Sequence, residues 1–215
     1  MTTRGIRRKK SYLVDAKIAI FGQKSVGKSA LTVRFLTKRY IGEYDHQADK
    51  VHKHEILVDT EAVLVEIWDT CMIDMKDSVS SKAEALSWCD GLLLVYSITD
   101  RDSFNFIKKV KQELQISDTP VLLIGNKADL IHLRQVSTDE GEILAKDFDC
   151  KFYEISAAEQ VQQVSDAFLD LCREILQAKR KSKQSFIDKI DRMFSGSGRV
   201  YNRNNEIAKI PKTCD

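Results

Sequence analysis

Short apolar runs alternate along the chain with stretches whose apolar residues recur every three to four positions. The runs Ala16–Gly22, Lys53–Asp59, Ala62–Asp69, Gly91–Ser97, Thr119–Asn126 and Lys151–Ser156 predict strands. The periodic stretches Lys28–Lys38, Ser80–Trp88, Asp102–Ile116, Thr138–Asp147 and Val161–Lys179 predict helices. Leu92–Tyr96 and Pro120–Gly125 are nearly continuously apolar. Such runs suit strands covered on both faces, which is the situation of a parallel sheet flanked by helices. Only the turn at Asp59–Glu61 is short enough for an antiparallel hairpin; the other connections can hold helical crossovers. The expected fold is therefore α/β: one doubly wound domain with a mostly parallel six-stranded sheet, one antiparallel hairpin and helices on both faces.

Composition narrows the class. The 215 residues fit one domain with extensions. A 43% hydrophobic share is too high for disorder over most of the length. The five cysteines (71, 89, 150, 172, 214) are odd in number, scattered, and form no CxxC pair. That argues against a disulfide framework or a cysteine zinc site and leads us to expect a reducing, cytoplasmic setting. The four histidines (46, 52, 54, 132) lack metal-ligand partners at suitable spacing. No run approaches the ~18 apolar residues of a membrane span, and the segment after the basic N-terminus, broken at Asp15 and Lys17, does not read as a signal peptide.

Charge is segregated. Residues 1–17 carry six Lys/Arg against Asp15, and residues 173–215 carry eleven against five acids. With a total of +2, the body between them is strongly acidic. A nucleic-acid role for the body is not expected; the ends are the parts suited to an anionic partner.

The sharpest motif is Gly22-Gln23-Lys24-Ser25-Val26-Gly27-Lys28-Ser29, followed by Ala30. It leaves a predicted strand and opens a predicted helix, the required setting for GxxxxGK[ST]. The glycines let the backbone curl so that N–H groups point at a phosphate, and the helix N-terminus adds partial positive charge. In such loops the lysine, here Lys28, reaches the β- and γ-phosphates, and the hydroxyl, here Ser29, holds Mg²⁺.

A second motif chooses the base. Asn126-Lys127-Ala128-Asp129 lies at the carboxyl end of the fifth strand, where open α/β sheets bind ligands. A carboxylate there can accept two N–H bonds from a guanine edge; adenine offers no matching pair. Ile155-Ser156-Ala157 ends the sixth strand, where its backbone can meet a base carbonyl.

At these residues the chain resembles the Ras-like small GTPases, over roughly residues 14–178. The stretches Ser29–Asp45, Tyr96–Phe104 and Asn126–Gly141 are most similar to the RERG-like and Ras-like 11/12 branch. The resemblance implies GTP or GDP as ligand with Mg²⁺, held at Ser29 and, through water, at Asp69 of Asp69-Thr70. It implies Tyr40 as the aromatic covering the ribose and base edge, and Asn126, Lys127, Asp129, Ser156 and Ala157 as the guanine reader. It also implies a monomeric signalling protein with effector and regulator partners.

The departures from the family pattern fall where the γ-phosphate is sensed. Gln47 stands where the family has a threonine, and no Ser or Thr lies between Thr37 and Thr60. The family's DTAGQ reads Asp69-Thr70-Cys71-Met72-Ile73. Met72 replaces the glycine that contacts the γ-phosphate, and Ile73 replaces the glutamine that orients water. No Gly lies between Gly42 and Gly91, and no Gln between Gln47 and Gln112, so shifting the alignment restores neither. Lys24 occupies a loop position that the family keeps small for an activating arginine. The expectation is intact nucleotide holding with slow hydrolysis, or, alternatively, a non-cycling nucleotide-stabilised interaction module. No catalytic residue is assigned, and an ATP-using enzyme is disfavoured by Asn126–Asp129.

The ends complete the division into a basic extension (1–13), a nucleotide-binding domain (14–178) and a basic tail (179–215). Cys214 is second, not fourth, from the end, so Ras-type prenylation is not expected. Phe186, Ile187, Ile190, Met193 and Phe194 follow helical spacing among Lys183, Lys189 and Arg192. That is a basic amphipathic helix, suited to an anionic membrane surface or an acidic partner. Arg7–Lys10 has the composition of a nuclear signal or membrane patch, which would give a peripheral-membrane or nuclear fraction.

Overall fold

The structure, a computed structural model, describes residues 13–41, 50–70, 79–114 and 119–196. It comprises two compact units, Met1–Gln177 and Ala178–Asp215.

Along the chain the elements run β1 (Val14–Phe21), α1 (Lys28–Thr37), β2 (Lys50–Val58), β3 (Glu61–Asp69), α2 (Val79–Trp88), β4 (Gly91–Ser97), α3 (Arg101–Leu114), β5 (Val121–Asn126), α4 (Thr138–Phe148), β6 (Lys151–Glu154) and α5 (Val161–Gly196). The six strands form one sheet in the order β2-β3-β1-β4-β5-β6. Only β2 and β3 are antiparallel, joined at the turn after Val58; every other pair is parallel. The expected α/β architecture is present.

Alternation along the strands explains the two layers. In β1, Ile18 and Ile20 point into a core shared with Leu31 and Phe35 of α1 and Phe168, Leu171 and Ile175 of α5. Their neighbours Ala19 and Phe21 point the other way, against Ala85 of α2, Phe104 and Ile107 of α3, and Leu144 of α4. Phe35 and Phe168 stack at 4.4 Å between centroids. Such a pair contributes about 0.5–1.5 kcal/mol beyond area burial, so α1 and α5 are locked as neighbours. Trp68 and Trp88 pack edge to face at 5.4 Å and serve this second layer rather than any chemistry.

Helix ends follow sequence chemistry where it is strong. Ser137 caps α4 with a reciprocal box: its side chain accepts from the Glu140 N–H while the Glu140 carboxylate accepts from the Ser137 N–H. Arg101 also pairs with Glu140, which holds that carboxyl down to about 2.

One element departs from its expected form. The sequence predicts a helix ending at Lys179 and a separate amphipathic helix beyond it. The structure has a single helix to Gly196. The stretch Lys179–Lys183 is basic and polar but contains no helix breaker, and Lys and Arg, which fill all of it but Ser182, are good helix formers. Within Ala178–Asp215 the described part is that helix, with Phe186 and Ile187 exposed and Gln184 bonded to Asp188 at 2.9 Å.

Candidate nucleotide site

The parallel strands β1, β4 and β5 all end at one edge, and the loops that leave β1, β5 and β6 gather there. The phosphate-type loop connects β1 to α1. Its backbone turns through left-handed residues, Ser25 at φ 65° and Gly27 at φ 101°. A Cβ on Gly27 would also lie 2.2 Å from the Asn126 amide nitrogen, and one on Gly22 would lie 2.3 Å from the Val95 carbonyl oxygen. Gly22 is therefore required by contact, and Gly27 by contact and by its left-handed conformation. Among the described residues the N–H groups of Ser25, Val26 and Gly27 have no hydrogen-bond acceptor, which leaves them as donors for an anion. Lys28 Nζ donates to the carbonyls of Gly22 (2.7 Å) and Gln23 (3.0 Å), so the ammonium is folded back over the loop. Lys24 and Ser25 are exposed on its rim.

The loop after β5 is tied to the first. Asn126 is buried and bridges two loops: its amide N–H donates to Val26 O at 2.8 Å, and its amide oxygen accepts from Ala157 N at 3.1 Å. Lys127 takes a left-handed turn, φ 67°, which swings Asp129 to the pocket. The Asp129 carboxylate is half-buried and makes no hydrogen bond among the described residues, so it is available as an acceptor. After β6, Ser156 braces its own turn. Its Oγ accepts from the N–H groups of Ala158 and Glu159, and its N–H donates to Gln160.

Together these elements enclose a cavity of about 270 Å³. It is lined by Gly27, Ala30, Tyr40, Asn126, Lys127, Asp129, Leu130, Ser156, Ala157 and Ala158. Four separate stretches of sequence thus meet at one place. Gly22, Gln23, Lys24, Ser25, Val26, Lys28 and Ser29 lie on the adjoining loop and first helical turn. Sequence reasoning missed Leu130, Ala158 and, beneath the lining, Arg34. The first two sit beside motif residues and could have been included; Arg34 carries no local signal.

Asp69 closes β3 beside Ile20 of β1, at the edge where the phosphate loop begins. It is buried, and its Oδ1 has no hydrogen-bond partner among the described residues. A buried carboxylate oxygen left without a donor fits a cation. Mg²⁺ usually takes one or two protein oxygens and keeps several waters, so Ser29 with Asp69 is a donor set of the right hardness. Gln47, Cys71, Met72 and Ile73 lie outside the described residues.

The fold, the glycine-rich strand-to-helix loop and the base cavity at the strand ends define a P-loop nucleotide-binding domain. Comparison with known proteins gives the particular family. Residues 17–177 match the Ras family model. The chain is 45% identical over 165 residues to the human "Ras-related and estrogen-regulated growth inhibitor", covering 75% of this chain and 81% of that protein. It is 41% identical over 170 residues to human "Ras-like protein family member 11A", covering 75% and 70%. To the bovine "Ras-related and estrogen-regulated growth inhibitor-like protein" it is 39% identical over 192 residues, covering 85% and 90%. The chain belongs to the Ras family of small GTPases, in the branch of these relatives. No described helix is long and apolar enough to cross a membrane.

Proposed function

We propose that this protein is a guanine-nucleotide-binding signalling protein that holds GTP and GDP well and hydrolyses GTP slowly. The observation that carries the binding half is the Asn126 bridge from Val26 to Ala157, which brings Asp129 and the 156–158 turn to the same cavity as the phosphate loop. In this reading Asp129 accepts from the guanine edge, Tyr40 covers the ribose side, and the free loop N–H groups with Lys28 cradle the phosphates. Ser29 and Asp69 would hold Mg²⁺, Asp69 through water. The ion supplies neutralisation of charge on the phosphate oxygens.

The hydrolysis half rests on composition at the switch positions. Ile73 has no group that can hydrogen-bond a water, Met72 stands for the γ-phosphate glycine, and Gln47 for the threonine. A Ras-type protein without an activator turns over at about 3–5 × 10⁻⁴ s⁻¹. We expect this protein at or below that rate, with GTP bound little better than GDP. Single-turnover hydrolysis beside mant-GDP and mant-GTP affinities tests both halves together. A rate tenfold higher would show that another group, Lys24 first, has taken over the water or the charge. Undetectable turnover with tight binding would favour the second reading, a nucleotide-stabilised module that never cycles. Restoring Thr at 47, Gly at 72 and Gln at 73 together should recover more than the single changes summed, because such residues act as a unit.

The division of labour we propose assigns nucleotide to residues 14–178 and surface attachment to 179–215, in a cytoplasmic monomer. Phe186 is 66% and Ile187 50% exposed on a helix that also carries Lys181, Lys183 and Lys189. Apolar side chains ringed by lysines suit an anionic lipid surface. Binding to phosphatidylserine vesicles should fall as salt rises and vanish in a chain lacking 180–215; binding that survives the deletion would place the contact elsewhere.

A further inference from the structure

A guanidinium lies beneath the base side of the cavity. Arg34, in the second turn of α1, is only 7% exposed. A buried arginine ordinarily pairs with a carboxylate. Here, among the described residues, every hydrogen bond of Arg34 ends on a carbonyl oxygen. Nε donates to Ala157 O at 2.6 Å, Nη2 donates to Ala158 O, and Nη1 reaches Lys38 O at 3.4 Å. The same guanidinium carbon lies 5.6 Å from the centre of the Tyr40 ring. Ala157, Ala158 and Tyr40 all line the cavity.

We infer that Arg34 is a positioning residue that holds the base-binding side of the cavity in shape and so sets how long a guanine nucleotide stays bound. The inference rests on the guanine reading above. Its physical basis is the shape of the side chain. Two donors of one planar fork engage two successive carbonyls, which fixes the path of the 156–158 turn more firmly than one contact would. The guanidinium lies over the ring of Tyr40, which is half-exposed and would otherwise be free to swing away from the cavity. Arg34 thus joins the two walls of the base site from behind. Asn126 ties the 156–158 turn to the phosphate loop, whereas Arg34 ties it to α1 and to the start of the segment that follows. A regulator that displaces Lys38–Tyr40 would therefore loosen the base turn as well, without touching the nucleotide.

The experiment compares full-length wild type with Arg34→Lys and Arg34→Met. Lys keeps the charge but lacks the fork; Met keeps the length but donates nothing. Release of mant-GDP and of mant-GTP is followed after addition of excess unlabelled nucleotide, in Mg²⁺ and again in EDTA. We expect release to quicken about 10–100-fold, Met at least as much as Lys. The factor should be the same for both nucleotides and should persist in EDTA, because the lesion is on the base side and not at the phosphates. Melting in saturating GDP reports whether each variant is folded. Tyr40→Leu supplies a second variant at the other wall. Its effect should be less than additive with that of Arg34→Met, since the arginine and the ring support each other. Release within twofold of wild type in a folded Arg34→Met protein would overturn the inference. So would acceleration confined to one nucleotide, or full additivity with Tyr40→Leu. If Arg34→Met does not fold, Arg34→Lys and Tyr40→Leu decide the matter by the same criteria. Failure of the wild type to bind mant-GDP would instead sink the guanine reading, so the two failures are distinct.

Discussion

The proposed phosphate side and the proposed base side of the site are built in different ways. The phosphate loop is held chiefly by its own residues, with Asn126 as an added tie at Val26: Lys28 folds back onto carbonyls five and six positions before it, and the turn is made by Ser25 and Gly27. The base side is held by contacts across the chain. Asn126 reaches Val26 over 100 positions, and Arg34 reaches Ala157 over 123. A loop of the first kind keeps its shape whenever its strand and helix are in place. A cavity of the second kind exists only when the whole sheet and both flanking helices are assembled. The phosphate grip is therefore local and the base grip is cooperative, and the two should fail differently.

The largest expected effect tests the base side alone. Asp129→Ala should remove guanine selectivity while phosphate binding persists. Sites built to hydrogen-bond a given group discriminate by up to ~10⁴–10⁵, so a competition of GTP against ATP should move by several orders of magnitude. Equal competition by both nucleotides in wild type would remove the basis of the comparison.

The phosphate side is tested by Lys28→Ala or Ser29→Asn. Either should weaken all nucleotides alike and leave the base preference intact. A ligand that binds only the native state at 100 times its dissociation constant contributes about 2.7 kcal/mol. Thermal melts with saturating GDP should lose an increment of that order. Variants that melt with wild type in saturating GDP would show that the loop contributes nothing to holding it.

The smallest effect lies away from both grips, at the α4 cap. Glu140 is held at about 2 first by its hydrogen bond with Arg101 and then by the Ser137 N–H. A depressed carboxyl contributes stability that is complete above its unfolded value near 4.5 and is lost as pH falls toward 2. Glu140→Gln should flatten acid unfolding within that window, with its cost greatest above it and fading as pH falls toward 2; that cost is small because the Arg101 pair is partly exposed. Ser137→Ala should cost about 1 kcal/mol at any pH. Neither should alter nucleotide release; if either does, the base side is less insulated than its contacts indicate.

The same contrast decides what could be read from the sequence. The phosphate loop was legible because its chemistry is contiguous: two glycines, a lysine and a serine between a strand and a helix. Asn126 and Asp129 were legible because they sit at a strand end, where α/β sheets place ligands. Ser137 with Glu140 announces its cap by spacing. Arg34 was not legible. It is one basic residue inside a helix pattern, and the two carbonyls its fork engages, Ala157 and Ala158, lie more than 120 positions away. The length of α5 was misjudged for the opposite reason: a basic, polar stretch reads as the end of a packed helix, although nothing in it breaks one. The tight fit of Gly27 against Asn126 also needed coordinates, since a sequence shows a glycine but not what a methyl group would meet.

The long reach of Arg34 also bears on biosynthesis. A ribosome makes the phosphate loop early and the 156–158 turn near the end of the folded body. Until that turn is available, Arg34 lacks the two carbonyls its fork engages and Asn126 has only Val26 of its two partners, so the nascent chain carries the phosphate-type loop without a completed base pocket. Contacts of such separation form late because the chain must first be closed over a long loop. Selection of guanine over the far more general phosphate ligand is therefore a property of the finished protein and not of any growing intermediate.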